Sequence, residues 1–231
     1  MSVVFNGNNV LRDVPLAIAN SVYADNGIFR FAVSGNTYAD LRCLTKTIFT
    51  DVPDALDPNA NVVFGAGYTK TGSLDLNGNS QTINRPVLST LDGLAASDYS
   101  LTSSSGPATL TCRASGDSLF FGTLGGALSL AWEPLSDSYA LTLTGRVSQT
   151  AGTLRVTAGT LRLAADTAFP ALSGLIATGT GILSLATPQV AVVPVTLADS
   201  AVLDLPDGLT FACQSARVDG FAPRAAGGAE L

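Results

Sequence analysis

The chain has 231 residues, 46% of them hydrophobic and only 13% charged, with a net charge of −6. That is ample core material for one large or two small domains, with a surface wetted by hydroxyls and amides more than by ion pairs. The 12 basic residues form no stripe, which argues against nucleic acid and anionic membrane as partners, and the absence of histidine removes imidazole catalysis, His triads and His metal sites.

The opening MSVVFNGNNVLRD lacks the basic and apolar regions of a signal peptide, and no run of about 18 apolar residues follows. The expectation is either an intracellular protein or a piece cut from a longer exported chain, with no membrane insertion. Residues 1–65 carry Phe5, Tyr23, Phe29, Phe31, Tyr38, Phe49 and Phe64 in an irregular pattern. GIFRFAV, residues 27–33, is apolar on both alternating sets and predicts a strand buried on both faces. DVPDALDPNAN, residues 51–61, predicts a loop protruding from the fold, with at most one helical turn at Asp54-Ala55-Leu56 ended by Asp57-Pro58.

Further along, apolar doublets recur as Leu119/Phe121, Leu141/Leu143, Leu161/Leu163, Leu183/Leu185 and Leu203/Leu205, at spacings of 22, 20, 22 and 20 residues. Others lie between them: Leu110/Cys112, Leu128/Leu130, Leu154/Val156 and Val195/Leu197. Turn signals at Ser105-Gly106-Pro107, Gly125-Gly126, Ser173-Gly174, Gly179-Thr180-Gly181 and Pro206-Asp207-Gly208 separate these short runs.

One stretch settles the element type. AGTLRVTAGTLRL, residues 151–163, repeats itself after seven residues, as a helical heptad would. Its Gly and Thr are poor helix formers, and Leu154/Val156 and Leu161/Leu163 alternate against Arg155 and Arg162 with period two. Ala158-Gly159 is also a poor tight hairpin, whose first central residue needs a positive φ. The stretch is best read as two consecutive faces of one coil, with Gly159 near the corner and both arginines outward.

A turn of about 20–22 residues built from short strands is the signature of a parallel β-solenoid, in which like residues stack on like. The fold class is therefore all-β, one continuous single-stranded solenoid over 1–231. Residues 1–65 form less regular rungs or a partial cap, 66–220 the regular rungs, and 221–231 a C-terminal tail or cap. Cys43, Cys112 and Cys213 each follow an apolar residue by two positions, which puts them on the inward face as buried small hydrophobes; their spacing fits neither a zinc site nor a disulfide framework.

Three stretches also resemble a known family. TGSLDLNGNSQTI (71–83), ATLTCRASGDSLFFGTLGGALSL (108–130) and AGTLRVTAGTLRL are similar to the autotransporter-associated β-strand repeats of bacterial passenger domains. The likeness covers about residues 70–220 well and the first 65 loosely. It implies a right-handed parallel β-helix, extracellular or on the outer cell surface, as a segment of a longer exported protein, and it carries no catalytic residues to transfer. The chain departs from the pattern at LTGRVSQTAGTLRV, and neither an export signal nor a translocator barrel is read within residues 1–231, which fits the expectation of a segment.

The candidate chemistry is acidic. Asp51/Asp54/Asp57, Asp199/Asp204/Asp207 and Glu133 could serve a polysaccharide hydrolase or lyase if two carboxylates faced one groove, about 5–9 Å apart for hydrolysis. The plainer expectation is solvated turn residues for Asp51, Asp54 and Asp57, and an outward Asp204 between Leu203 and Leu205. Lys70 and Arg85 flank DLNGN, where Asn77-Gly78-Asn79 reads first as a turn, second as a stacked Asn ladder, third as a calcium or sugar site. Trp132 reads as loop packing, or as a sugar platform. No catalytic, cofactor-binding or metal-ligating residue is assigned. The functional expectation is a non-catalytic stalk or passenger segment for display or adhesion. Its partners are further copies through the exposed solenoid ends, or host and cell-surface glycans, and the alternative is a carbohydrate-active β-helix.

Overall fold

The computed structural model of the protein describes residues 2–44, 46–65, 71–88, 98–164, 172–186, 193–205, 214–219 and 224–226. Strands are short because the chain bends at a corner every few residues, and all their pairings are parallel. One side of the coil begins with a five-stranded sheet: β1 (Val3–Asn6), β3 (Val22–Asp25), β5 (Asp40–Cys43), β7 (Asn61–Phe64) and β10 (Pro86–Leu88). A six-stranded sheet follows: β12 (Ser118–Phe120), β14 (Ala140–Leu143), β17 (Thr160–Leu163), β19 (Ile182–Leu185), β21 (Val202–Asp204) and β23 (Arg224–Ala226). The Ser118 hydroxyl donates to the Pro86 carbonyl, joining β12 to β10.

The remaining 12 strands form a single branched sheet. Its path starts with β2 (Asn9–Leu11), β4 (Gly27–Phe31), β6 (Lys46–Thr50) and β8 (Gly72–Asp75). It passes through β11 (Tyr99–Cys112) and β13 (Thr123–Trp132) to β16 (Thr153–Val156), β18 (Gly174–Ala177), β20 (Pro194–Ala198) and β22 (Ser215–Asp219). Off the path, β9 (Gln81–Ile83) pairs with the second half of β11, and β15 (Val147–Gln149) with the first half of β13. The two long strands thus run around a corner and join a second face of the coil to a third.

Register shows the period directly. Val3 lies beside Val22 and Val22 beside Leu41, each 19 residues on; Leu141, Leu161, Leu183 and Leu203 follow one another at 20, 22 and 20. The chain is an all-β parallel solenoid, with no α-helix among the described residues. Its core is one apolar column containing both faces of the 151–163 echo. Leu154 and Val156 face in from the branched sheet and Leu161 and Leu163 from the six-stranded one, all at 0% exposure, while Arg155 and Arg162 are exposed. Gly159 turns the corner at φ +61°, where a Cβ would sit 2.2 Å from the Tyr139 carbonyl oxygen. Only a residue without Cβ fits so close an approach.

Several local expectations are corrected. GIFRFAV is buried on one face only: Phe29 and Phe31 are in the core, while Ile28 is 40% exposed and Arg30 lies outside over the Phe49 ring. Residues 51–61 do not protrude. Ala55, Leu56 and Ala60 are buried, and this segment supplies the third corner of its rung. The inward pair near 120 is Ser118/Phe120 rather than Leu119/Phe121, a one-residue slip that reverses every side chain. Ser105-Gly106-Pro107 and Gly125-Gly126 are bends within β11 and β13, not breaks between strands. Trp132 is fully buried at the end of β13, with its indole N–H directed at the Tyr139 carbonyl at 3.5 Å.

Candidate functional site

The candidate acids serve mainly to tie one rung to the next. At one outer corner Arg30 Nη1 approaches Asp51 Oδ1 at 2.6 Å, Asn77 Nδ2 donates to the same oxygen at 2.9 Å, and the Ser105 hydroxyl donates to Asn77 Oδ1. This is a polar ladder of unlike side chains across four rungs, while Asn77-Gly78 form the turn expected of them, at φ 50° and 81°. A second ladder lies ahead of the first face: Asn61 Nδ2 donates to Asp40 Oδ1 (2.9 Å), Asn84 Nδ2 to Asn61 Oδ1 (3.0 Å), and the Ser115 N–H to Asn84 Oδ1 (2.8 Å). Each amide side chain donates to one neighbouring rung and accepts from the other, which suits an amide better than any other side chain.

Asp57 is buried rather than solvated. Its carboxylate accepts from the Tyr38 N–H at 2.9 Å and the Asn59 N–H at 2.8 Å. Asp75 accepts from the Asn77 and Ser104 amides, Asp199 from the Gly179 amide, and Asp204 from the Ser184 hydroxyl. Glu133 pairs with Arg155. Arg85 donates to the Asp117 carbonyl. Lys70, Asp207 and Cys213 lie outside the described residues.

Inside, buried amides close the corners that Asp51–Ala60 and its neighbours create. Gln81 Oε1 accepts from the Ala55 and Leu56 amides at 2.8 and 3.0 Å, and its Nε2 donates to the Val52 and Asn79 carbonyls. Asn36 accepts from the Leu16 amide and donates to the Val33 and Ala55 carbonyls. Cys43 and Cys112 are free and wholly buried. Burial pushes both thiols well above their ordinary range, and the Glu133 charge adds to this for Cys112. Such thiols are packing groups, not nucleophiles.

Among the described residues, the surface clefts include these two. The smaller, about 150 Å³, lies on the flat outer face between Thr109, Thr111, Ser129, Thr153 and Arg155. The larger, about 450 Å³, lies at the third corner and is lined by Ser34, Asn36, Asp54, Leu56, Thr82 and Arg113, among others. Neither cleft is lined by two carboxylates, and among the described residues no group of three acidic or thiol side chains could hold a metal ion. Asp54 is the acid of the larger cleft: it holds a positive φ of 52°, and like Asp13 on another rung its carboxylate makes no hydrogen bond or ion pair among the described residues.

The ladder of Asp40, Asn61 and Asn84, the partners of Asn77 and the place of Arg113 were missed in the sequence. A faint signal existed, because Ser21, Asp40, Asn61 and Asn84 recur at intervals near the rung length, each just before or at the start of a strand. Nothing local marks Arg113, whose place in a cleft depends on residues about 80 positions away. Compared with protein-family models, curated proteins and solved structures, the chain finds no match.

Proposed function

We propose that this chain is a non-catalytic β-helical stalk, a passenger-type segment that displays or adheres at the outside of a cell. The observation that carries the reading is the employment of its acids: Asp40, Asp51, Asp57, Asp75, Asp199, Asp204 and Glu133 all accept hydrogen bonds or ion pairs that hold rungs and corners together. A β-helix that cleaves sugars needs two carboxylates directed into one groove, and no such pair lines either cleft. A rod stacked on one apolar column is a stiff spacer, as display requires. The resemblance of residues 71–83 and 108–130 to autotransporter repeats supports a place outside the cell, as part of a longer exported protein.

The test places the chain between an export leader and an outer-membrane anchor, with an epitope at its membrane-distal end. The epitope should be reached by antibody on intact cells, and the purified chain should release no reducing or unsaturated ends from a panel of polysaccharides. Sugar release that falls in an Asp51→Asn or Asp204→Asn variant would overturn the reading in favour of a hydrolase or lyase.

A further inference from the structure

We propose that the third-corner cleft binds a carboxylate-bearing saccharide, with Arg113 holding the carboxylate and Asp54 accepting from a sugar hydroxyl. The proposal rests on the adhesion reading above and names its ligand class.

Four arginines of the described residues are engaged by acids: Arg30 with Asp51, Arg42 with Asp40, Arg155 with Glu133, and Arg217 with Asp219. Arg113 is exposed, makes no side-chain hydrogen bond or ion pair among the described residues, and lines the larger cleft. Its backbone is fixed, because its N–H donates to the Ile83 carbonyl at 3.0 Å. Asp54 is fixed likewise by its N–H to the Ser80 carbonyl at 3.3 Å, and its carboxylate is the free acid of this corner. The cleft thus holds one uncommitted cation and one uncommitted anion on anchored backbone.

Their separation keeps them from cancelling each other. Ser34 and Asn36 belong to the rung of β4, Asp54 and Leu56 to the rung of β6, Thr82 to that of β9, and Arg113 follows β11. Rungs stack at about 4.8 Å, so Asp54 and Arg113 stand about 10 Å apart along the axis, and the cleft runs about 14 Å. Between them lies the Thr82 hydroxyl; the exposed Pro58 ring offers apolar surface on the rung of Asp54, and the Ser34 hydroxyl lies one rung beyond Asp54, on the side away from Arg113. A guanidinium offers a planar fork to a carboxylate. A carboxylate two rungs away, a hydroxyl between, and a little apolar surface suit the hydroxyls and C–H face of a sugar ring. A phosphate or a simple carboxylic acid would leave Asp54 unused, and a neutral sugar would leave Arg113 unused.

The experiment titrates the full chain, ¹⁵N-labelled, with methyl β-D-glucuronide and separately with methyl β-D-glucoside, which differ only at the carboxylate. The glucuronide should shift amide signals of residues 34–36, 54–56, 82 and 113 with a Kd near 1 mM, as befits one charged contact in an open cleft, and the glucoside should bind at least tenfold more weakly. Arg113→Ala should weaken glucuronide binding at least tenfold, and Arg113→Lys several-fold, since Lys lacks the fork. Arg162→Ala, an exposed arginine on another face, should leave it unchanged, with the spectra of all variants confirming the fold. Equal shifts from both sugars, no shift from either, or undiminished binding by Arg113→Ala overturns the proposal. Those outcomes leave the display reading intact, since that reading fails on a hidden epitope or on sugar release.

Discussion

At the residue scale, buried amides carry more of this structure than its charges do. Gln81 makes four hydrogen bonds from a fully buried position, two of them holding backbone amides that no strand partner reaches. Replacing it with Met should cost about 2–4 kcal/mol, because several buried groups lose their partner at once. Gln149, also buried, makes one such bond, to the Leu128 carbonyl, and Gln149→Met should cost about 1 kcal/mol. Urea unfolding of both variants checks the order. The thiols give a pH dependence with a definite sign. Cys43 and Cys112 ionise in the unfolded chain from about pH 9.0 but not when buried. The folded pKa is raised, so the stabilisation is complete below pH 9 and is lost as pH rises beyond it. Each thiol should cost the fold about 1 kcal/mol by pH 10, and Cys43→Ala with Cys112→Ala should flatten that decline. That these cysteines face inward was legible from Leu41 and Leu110 two positions before them. Three of the four bonds of Gln81 were not, since those partners sit 25 to 29 residues away.

At the scale of elements, alternation names the strands and the corner decides their boundaries. Leu154, Val156, Leu161 and Leu163 read as inward from sequence because Thr and Arg alternate with them. The same rule slipped at 118–121, where three successive apolar residues, Leu119-Phe120-Phe121, follow Ser118. With no polar partner to break the tie, the neighbouring rung chose: Phe120 faces in beside Leu143 and packs against Phe64 at 5.6 Å between ring centroids. The corner at Gly159 makes a sharp prediction. Gly159→Ala should lose about 1–2 kcal/mol from the left-handed backbone alone, and more from the contact with the Tyr139 carbonyl. Gly7→Ala, with an equally positive φ but open space around the Cβ, should lose only the backbone part. Thermal melts of the pair separate strain from collision.

At the scale of the molecule, rungs touch only their neighbours, so stability should fall toward the ends of the coil. The inward residues of the first rung, Phe5, Leu11, Leu16 and Ile18, are only partly buried, whereas those of the next, Val22, Ala24, Phe29 and Phe31, are at 0% exposure. Hydrogen exchange should therefore be fastest in β1 and β22 and slowest in β14 and β17, with intermediate strands graded between; uniform protection would contradict nearest-neighbour stacking. The sequence by itself determined the all-β class, the period near 21 and the inward face of most strands. Those follow from hydrophobic alternation and turn chemistry, which are local in the chain. The period continues through residues 3–64 at offsets of 19 to 21, though aromatics and single alanines hide it there. Only the tertiary structure decided which acids are spent on ladders, which corner folds inward, and that Asp54 and Arg113 share a cleft. Each of these is a contact between rungs, and the chain separation across a rung varies from 19 to 29 residues as loops lengthen. A fixed period read along the sequence therefore cannot say which polar residues will meet.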